Sequence, residues 1–295
     1  MILTNCAACA APLAHDAPRC VRCKTRYCNS TCQHDHWRRG HKQICKKIHR
    51  AGNAEQYNAD KKYKEAVKVA VEACAEDTKG QKCYICLEAV HSRTGEGLVR
   101  GCACGDRDDV SSPELGVAHV SCLAEQAKIL VAEAEENKLK DEMNERWGRW
   151  DTCGLCEHQY HGVVRCALGW ACWKTYLDQA EADAYKINAM THLANGLSDA
   201  GCHEERLGVL KAQLTWSRTD ERGLMTMKSN LAGCYERLGC HAEALAIRRI
   251  EYVRGAEIYG NSHEQTFNYA LGFTTSLRAS GQKCRGDSTT TSRHG

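Results

Sequence analysis

The chain has 295 residues, 43% of them apolar, enough for two or three small domains, but aromatics make up only 6% and Phe occurs twice. No apolar run approaches the ~18 residues of a membrane span; the best, Val163 to Trp173, is short and carries Arg165. The outlier is cysteine, 21 residues, in a chain whose opening MILTNCAACA lacks the basic-then-apolar order of a secretory signal. Membrane proteins and secreted disulfide scaffolds are therefore poor readings. In a reducing compartment, cytoplasmic or nuclear, closely paired cysteines read as metal ligands. The formal charge of +3 is no argument for nucleic acid. Ionising fourteen cysteines around four Zn²⁺ changes it by −14 and +8, to −3.

The first 45 residues hold seven cysteines. Cys6-x2-Cys9 and Cys20-x2-Cys23 have the spacing that lets two sulfurs converge on one tetrahedral ion. Cys28-x3-Cys32 and His41-x3-Cys45 are i, i+4 pairs, which places each pair on one face of a short helix. His36 competes with His41, because Cys32 to His36 is also i, i+4; His41 is preferred as the helical partner of an otherwise single Cys45. The set supplies seven sulfurs and one nitrogen, enough for two closed sites. It also holds a segment too small to bury its own core.

Tyr27-Cys28-Asn29-Ser30-Thr31-Cys32-Gln33, His36-Trp37 and His41-Lys42-x2-Cys45 resemble the C-terminal half of a MYND finger. The resemblance covers residues 6–45. It implies interleaved binding, with Cys6, Cys9, Cys28 and Cys32 on one zinc and Cys20, Cys23, His41 and Cys45 on the other. It also implies a module that takes short, often proline-containing peptides. With ten Lys/Arg and two Asp in residues 1–50 the finger is basic. Its cations are not interleaved with stacking aromatics, however, which favours a protein ligand over nucleic acid. No SET-type methyltransferase motif follows.

Tyr63, Ala66, Val67, Ala70, Val71 and Cys74 recur along one face of an amphipathic helix, predicted from about Ala54 to Asp77 and ended by Thr78-Lys79-Gly80. Beyond it, Cys83-x2-Cys86, Cys102-x-Cys104, His119-x2-Cys122 and Cys153-x2-Cys156 again give seven sulfurs and one nitrogen. Four alternating pairs are what a cross-braced two-zinc domain needs, pairs one and three on one ion and two and four on the other. A charged helical stretch is expected from Leu123 to about Trp147.

Cys83-Tyr84-Ile85-Cys86-Leu87-Glu88, Gly101-Cys102-Ala103-Cys104-Gly105 and Val117-Ala118-His119-Val120-Ser121-Cys122-Leu123 resemble the RING-CH finger, in ligand order C4HC3. That resemblance implies docking of a ubiquitin-conjugating enzyme in a shallow groove, with Ile85 and Leu87 lining it and no covalent chemistry by the domain itself. The chain departs from the pattern in three places. Fourteen residues with an acidic insert lie between Cys104 and His119, thirty separate Cys122 from Cys153, and Gln126 and Ala127 stand where a Trp usually follows His-x2-Cys. A plain adaptor is thus the competing expectation, with no catalytic residue of its own in either case.

After Trp170 there is no metal-ligand spacing and no phosphate loop, but there is a repeat. Leu193-Ala194-x2-Leu197-x3-Gly201-Cys202-His203-x-Glu205-x-Leu207 recurs as Leu231-Ala232-x2-Tyr235-x3-Gly239-Cys240-His241-x-Glu243-x-Leu245, with a degenerate third copy at Phe273, Thr274, Leu277 and Gly281. The pattern resembles tetratricopeptide repeats of the kinesin-light-chain type, which implies helical or peptide ligands. A helix from Trp170 to about His192 is expected to support it. The expected organisation is a finger at 1–50, a linker helix at 51–80, a RING-CH-like finger at 81–165, helical repeats at 166–283 and a disordered tail at 284–295. The expected fold is mainly α with small zinc-stabilised irregular β hairpins, four Zn²⁺ and protein partners.

Overall fold

A computed structural model describes residues 5–11, 13, 17–105, 116–178, 184–216 and 219–286. The fold is mainly helical. Helices α1 (Ser30–His36), α2 (Lys42–Arg50), α3 (Ala54–Ala73), α4 (Val120–Glu136), α5 (Met143–Gly148), α6 (Gly162–Tyr176), α7 (Ala184–Asp199), α8 (His203–Trp216), α9 (Glu221–Arg237), α10 (His241–Tyr259) and α11 (Glu264–Gly286) carry it. A short π-type segment, Trp37–His41, joins α1 to α2 and is kinked at Gly40. The small irregular β elements of the described residues are isolated antiparallel bridges, Arg19 with Arg26, Val99 with Ala118 and Thr152 with Gln159. Among the described residues no helix is long and apolar enough to cross a membrane. The chain forms two compact units, Met1–Glu205 and Arg206–Gly295.

In the first unit α3 starts where Asn53 accepts a hydrogen bond from the Gln56 N–H (2.9 Å), satisfying one orphan donor of the first turn. Its expected apolar face is buried at Tyr63, Val67, Ala70 and Cys74. The helix stops at Ala73, four residues short of the expected end. The Thr78 N–H bonds to the Cys74 carbonyl (3.0 Å) and turns the chain instead.

The apolar run at Val163 to Trp173 is α6, the centre of the unit. It packs on α3, α4 and α7, and nearly its whole circumference is buried, as expected for a helix without a polar face. The charge inside that run, Arg165, is paired with Asp151 (3.0 Å) and Asp199 (3.2 Å). The stretch expected as one helix from Leu123 to Trp147 is two, α4 and α5, interrupted at Lys138, where φ is +55°. The single helix expected from Trp170 to His192 is likewise split between α6 and α7.

In the second unit α9 is capped by Asp220, which accepts from the Gly223 N–H (2.9 Å). α9 packs on α10 and α10 on α11. The repeat's turn is visible within each unit. The Cys202 N–H reaches back to the Leu197 carbonyl, and the Cys240 N–H to that of Tyr235, both at 2.9 Å. Gly201 and Gly239 both sit at φ +72°, a left-handed helix end that glycine adopts at no steric cost. The degenerate third copy lacks this corner, since α11 runs unbroken through Gly281 to Gly286. Residues 287–295 of the expected tail lie outside the described residues, as does the acidic insert after Gly105.

Candidate metal centres

Four Cys-x2-Cys pairs share one backbone turn. In each, the N–H four residues after the first cysteine bonds to that cysteine's carbonyl: Ala10 to Cys6, Lys24 to Cys20 and Leu87 to Cys83, each at 2.9 Å, and Glu157 to Cys153 at 3.0 Å. The N–H of the first cysteine in turn donates to the carbonyl five residues on, in Ala11, Thr25, Glu88 and His158. Closing the turn puts the residue after the second cysteine in the left-handed region, at φ 60° to 62° for Ala10, Lys24, Leu87 and Glu157. Backbone amides inside the turn face the sulfurs: the N–H groups of Ala8, Ile85 and Leu155 lie 3.4 Å from Sγ of Cys6, Cys83 and Cys153.

The remaining ligand candidates come from helix ends and loops. Cys28 was expected on one helix face with Cys32, but it precedes α1; Asn29 caps that helix by accepting from the Cys32 N–H (2.9 Å). His41 stands at the start of α2, one turn before Cys45. His119 precedes α4 and Cys122 lies in its first turn. Glu96 fixes this start, accepting from the Ser121 N–H (3.0 Å) and from the Tyr63 hydroxyl (2.7 Å), which ties α4 to α3.

These elements bring together four sets of side chains, each with its ligand atoms within 4.8 Å of one another. They are Cys6, Cys9, Cys28 and Cys32; Cys20, Cys23, His41 and Cys45; Cys83, Cys86, His119 and Cys122; and Cys102, Cys104, Cys153 and Cys156. His36 lies outside them. Its Nδ1 is 3.0 Å from the Tyr27 hydroxyl, and its ring stacks on that of His41 with centroids 4.7 Å apart. Ile85 and Leu87 are 36% and 72% exposed beside the third set.

The spacings within the sets fit zinc. Tetrahedral Zn²⁺ with Zn–S bonds of about 2.3 Å sets its sulfurs ~3.8 Å apart, and a nitrogen at about 2.0 Å lies ~3.5 Å from each sulfur. Observed separations are 3.6 Å for Cys9–Cys28, 3.8 Å for Cys9–Cys32 and Cys20–Cys45, and 3.7 Å for Cys104–Cys153. Cys23 Sγ and Cys86 Sγ each lie 3.3 Å from an imidazole nitrogen, Nε2 of His41 and Nδ1 of His119. A disulfide would need ~2.05 Å, and the described cysteines are free.

The donors suit a dication. Burial lowers the pKa of His41 and of His119, favouring the neutral ring that ligates. Burial opposes ionisation of Cys6, but the N–H groups of Cys9, Ala8 and Cys28 outweigh it and hold the thiol at about 6. A hydrogen bond from Cys102, with help from the Leu155 and Cys156 N–H groups, takes Cys153 down to about 4 against burial. Burial and the neighbouring Cys23 and Cys20 push Cys45 up to about 12. Thiolates this close repel one another, and a bound Zn²⁺ relieves that repulsion. Each of the four sets can hold one zinc ion.

The pairing Asp151–Arg165–Asp199 and the turn residues Ala10, Lys24, Leu87 and Glu157 gave no signal in the sequence. None of the four turn residues is glycine or asparagine, the usual markers of a left-handed position. Trp147 and Trp150 are buried, Trp147 against Tyr176 and Tyr185.

A family model of the MYND finger matches residues 6–45, the span of the first two sets. MYND fingers bind zinc and serve as protein-interaction modules. No curated protein matches the chain.

Proposed function

We propose that the chain is a zinc-organised docking protein whose sixteen clustered Cys and His residues ligate four Zn²⁺, and whose second pair of sites forms a RING-CH-like platform for a ubiquitin-conjugating enzyme. The observation that carries this reading is the exposure of Ile85 and Leu87 on a turn whose Cys83 is fully buried. Zinc takes the place of an apolar core there, which frees the aliphatic side chains to meet a partner. The C4HC3 order and the alternation of pairs support it. In this role the finger takes short peptides, and the tetratricopeptide-like helices at the corners of Gly201 and of Gly239, each within its own unit, take helical or peptide ligands. The domain supplies contact only, without a nucleophile or a general base.

One observation favours the competing reading, an adaptor without transfer. Trp147 and Trp150, the tryptophans nearest in sequence to the place of the missing one, are committed to the core and leave the groove without an aromatic wall. Autoubiquitination by the full zinc-loaded chain, with a panel of conjugating enzymes, separates the two. Transfer that needs Ile85 and Leu87 supports the platform; an inert wild-type chain leaves the adaptor.

A further inference from the structure

A cleft of about 620 Å³ lies between α3 and the loop at residues 93–97, and none of the clustered Cys and His residues lines it. Its apolar lining is Tyr63, Val67 and Val71, with Gly95 and Gly97 opposite. Four cations line it, Lys64 and Lys68 from α3, Arg93 from the loop and Lys174 from α6, against two carboxylates, Glu72 and Glu96.

The carboxylates are already engaged. Glu96 accepts from the Tyr63 hydroxyl and the Ser121 N–H, and Glu72 lies 3.7 Å from Lys68. Lys174 pairs with Asp60 (3.0 Å) and lies over the Tyr63 ring (4.7 Å to the centroid). Lys64 and Arg93 have no ionic partner among the described residues. Two lysines at i, i+4 repel each other slightly and add nothing to helix stability. The cleft thus presents unmatched positive charge beside an aliphatic surface.

We infer that this cleft binds a short, extended acidic peptide segment of a partner protein. One helical turn sets Lys64 and Lys68 ~6 Å apart along α3, close to the ~6.7 Å between residues i and i+2 of an extended chain. Carboxylates on every second residue therefore match the lysine pair, while a neighbouring aliphatic side chain covers Val67 and Val71. A cleft of this size is within the usual range for a binding site. A nucleic-acid strand fits less well, because the one aromatic ring, Tyr63, is occupied by Lys174 and offers no face for base stacking. The inference is independent of the conjugating-enzyme reading, since Ile85 and Leu87 do not line the cleft.

Selection from a random heptapeptide library on the full zinc-loaded chain, in parallel with the double variant Lys64→Glu/Arg93→Glu, tests it. Both positions are exposed, so the variant is expected to keep its zinc content and far-ultraviolet circular dichroism; Lys64→Gln/Arg93→Gln is the milder second variant. The expected result is a class of peptides with at least two Asp or Glu and one aliphatic residue, recovered on the wild type and absent from the double variant. A synthesised member should lose at least roughly tenfold in affinity in either variant, and should weaken as salt screens the contacts. Absence of an acidic class, or its equal recovery on the variants, overturns the proposal. So does binding of a uridine dodecamer that needs Lys64 and Arg93 when no acidic peptide class appears. Ubiquitin transfer assays on the same variants leave the two proposals separately decidable.

Discussion

Ile85 and Leu155 occupy the same place in two turns that belong to different sulfur sets. Each N–H lies 3.4 Å from the Sγ of the cysteine two residues before it, and each side chain is open to solvent, 36% and 44%. Leu87, next to the third turn, is more exposed still at 72% and holds φ at +62°, which costs a side-chain-bearing residue about 1–2 kcal/mol relative to glycine. The turn imposes that conformation, as it does at Ala10, Lys24 and Glu157, so only the exposure of the aliphatic side chain bears on the proposed docking. Leu87→Gly should therefore keep all zinc and raise the melting temperature, while weakening docking roughly tenfold. Ile85→Ala should weaken docking by a similar factor, since a partly buried aliphatic contact contributes on the order of 1–3 kcal/mol. Elemental analysis, thermal melting and binding to a conjugating enzyme, measured on the same preparations, read all three effects.

Four sets of four ligands imply four zinc ions per chain. Chelation should unfold residues 5–50 and the segments 83–104 and 151–160, where most of the buried side chains are the ligands themselves, while α4 keeps its packing on α6. Protons compete with zinc for thiolates, so release should also follow acidification. A chain purified without chelator that carries two zincs or fewer would mean that one pair of sets does not bind.

His41→Ala should release one zinc and loosen α2, whereas His36→Ala should retain both zincs of the finger. His36 contributes a bond to the Tyr27 hydroxyl and a ring face to His41, so its loss should cost only about 1 kcal/mol of stability. Zinc stoichiometry of the two variants decides; the reverse pattern would move the ligand to His36.

The paired spacing of the cysteines was readable in the sequence because metal chemistry constrains it locally: two sulfurs on one ion must be a turn apart. Which pairs share a set is not fixed by that spacing; it was expected from the resemblance in the finger and from the alternation of four pairs in the second module, and the side chains are grouped that way. The imidazole nitrogens were not readable, since Nε2 of His41 and Nδ1 of His119 are chosen by how far each backbone stands from its sulfurs. Helix breaks at Lys138 and after Tyr176 were equally hidden. Neither site carries a glycine or proline to mark it. Nor does the sequence around Gly169 and Gly196 mark them as packing positions.

Those two glycines set the approach of α6 to α7. A Cβ on Gly169 would lie 2.9 Å from the His192 carbonyl oxygen, and one on Gly196 would lie 2.6 Å from that of Arg165. Backbone cannot step aside as a side-chain tip can. Gly196→Ala should destabilise the first unit by about 1–3 kcal/mol, although alanine is the better helix former by ~1 kcal/mol. Gly148→Ala, in open space on α5, should be neutral or stabilising. Urea unfolding of both variants gives the comparison, and equal midpoints would mean that the helices can separate freely.

Arg248 holds the second unit's most buried acid. Its Nη1 bonds to Glu251 (3.2 Å) and Ser229 (2.7 Å), and its Nε to Glu236 (3.1 Å). Burial raises the pKa of Glu251, with Arg248 pulling it back only in part. Glu236, by contrast, is held below the usual carboxylate range: burial works against this, but Arg248 and Ser276 prevail. Arg248→Met keeps the stem and removes the charge, leaving Glu251 buried without its partner, at a cost of about 3–5 kcal/mol. The sign with pH follows from Glu251. A folded-state pKa above the unfolded value of about 4.3 means that stability is fully present below that value and is lost as pH rises through the folded one. The variant raises this pKa further, so its deficit should be largest near pH 8 and shrink towards pH 5. Hydrogen-exchange protection of α10, corrected for the intrinsic rate, measures the deficit at each pH. A deficit that stayed constant across that range would show that Glu251 remains charged and solvated without Arg248.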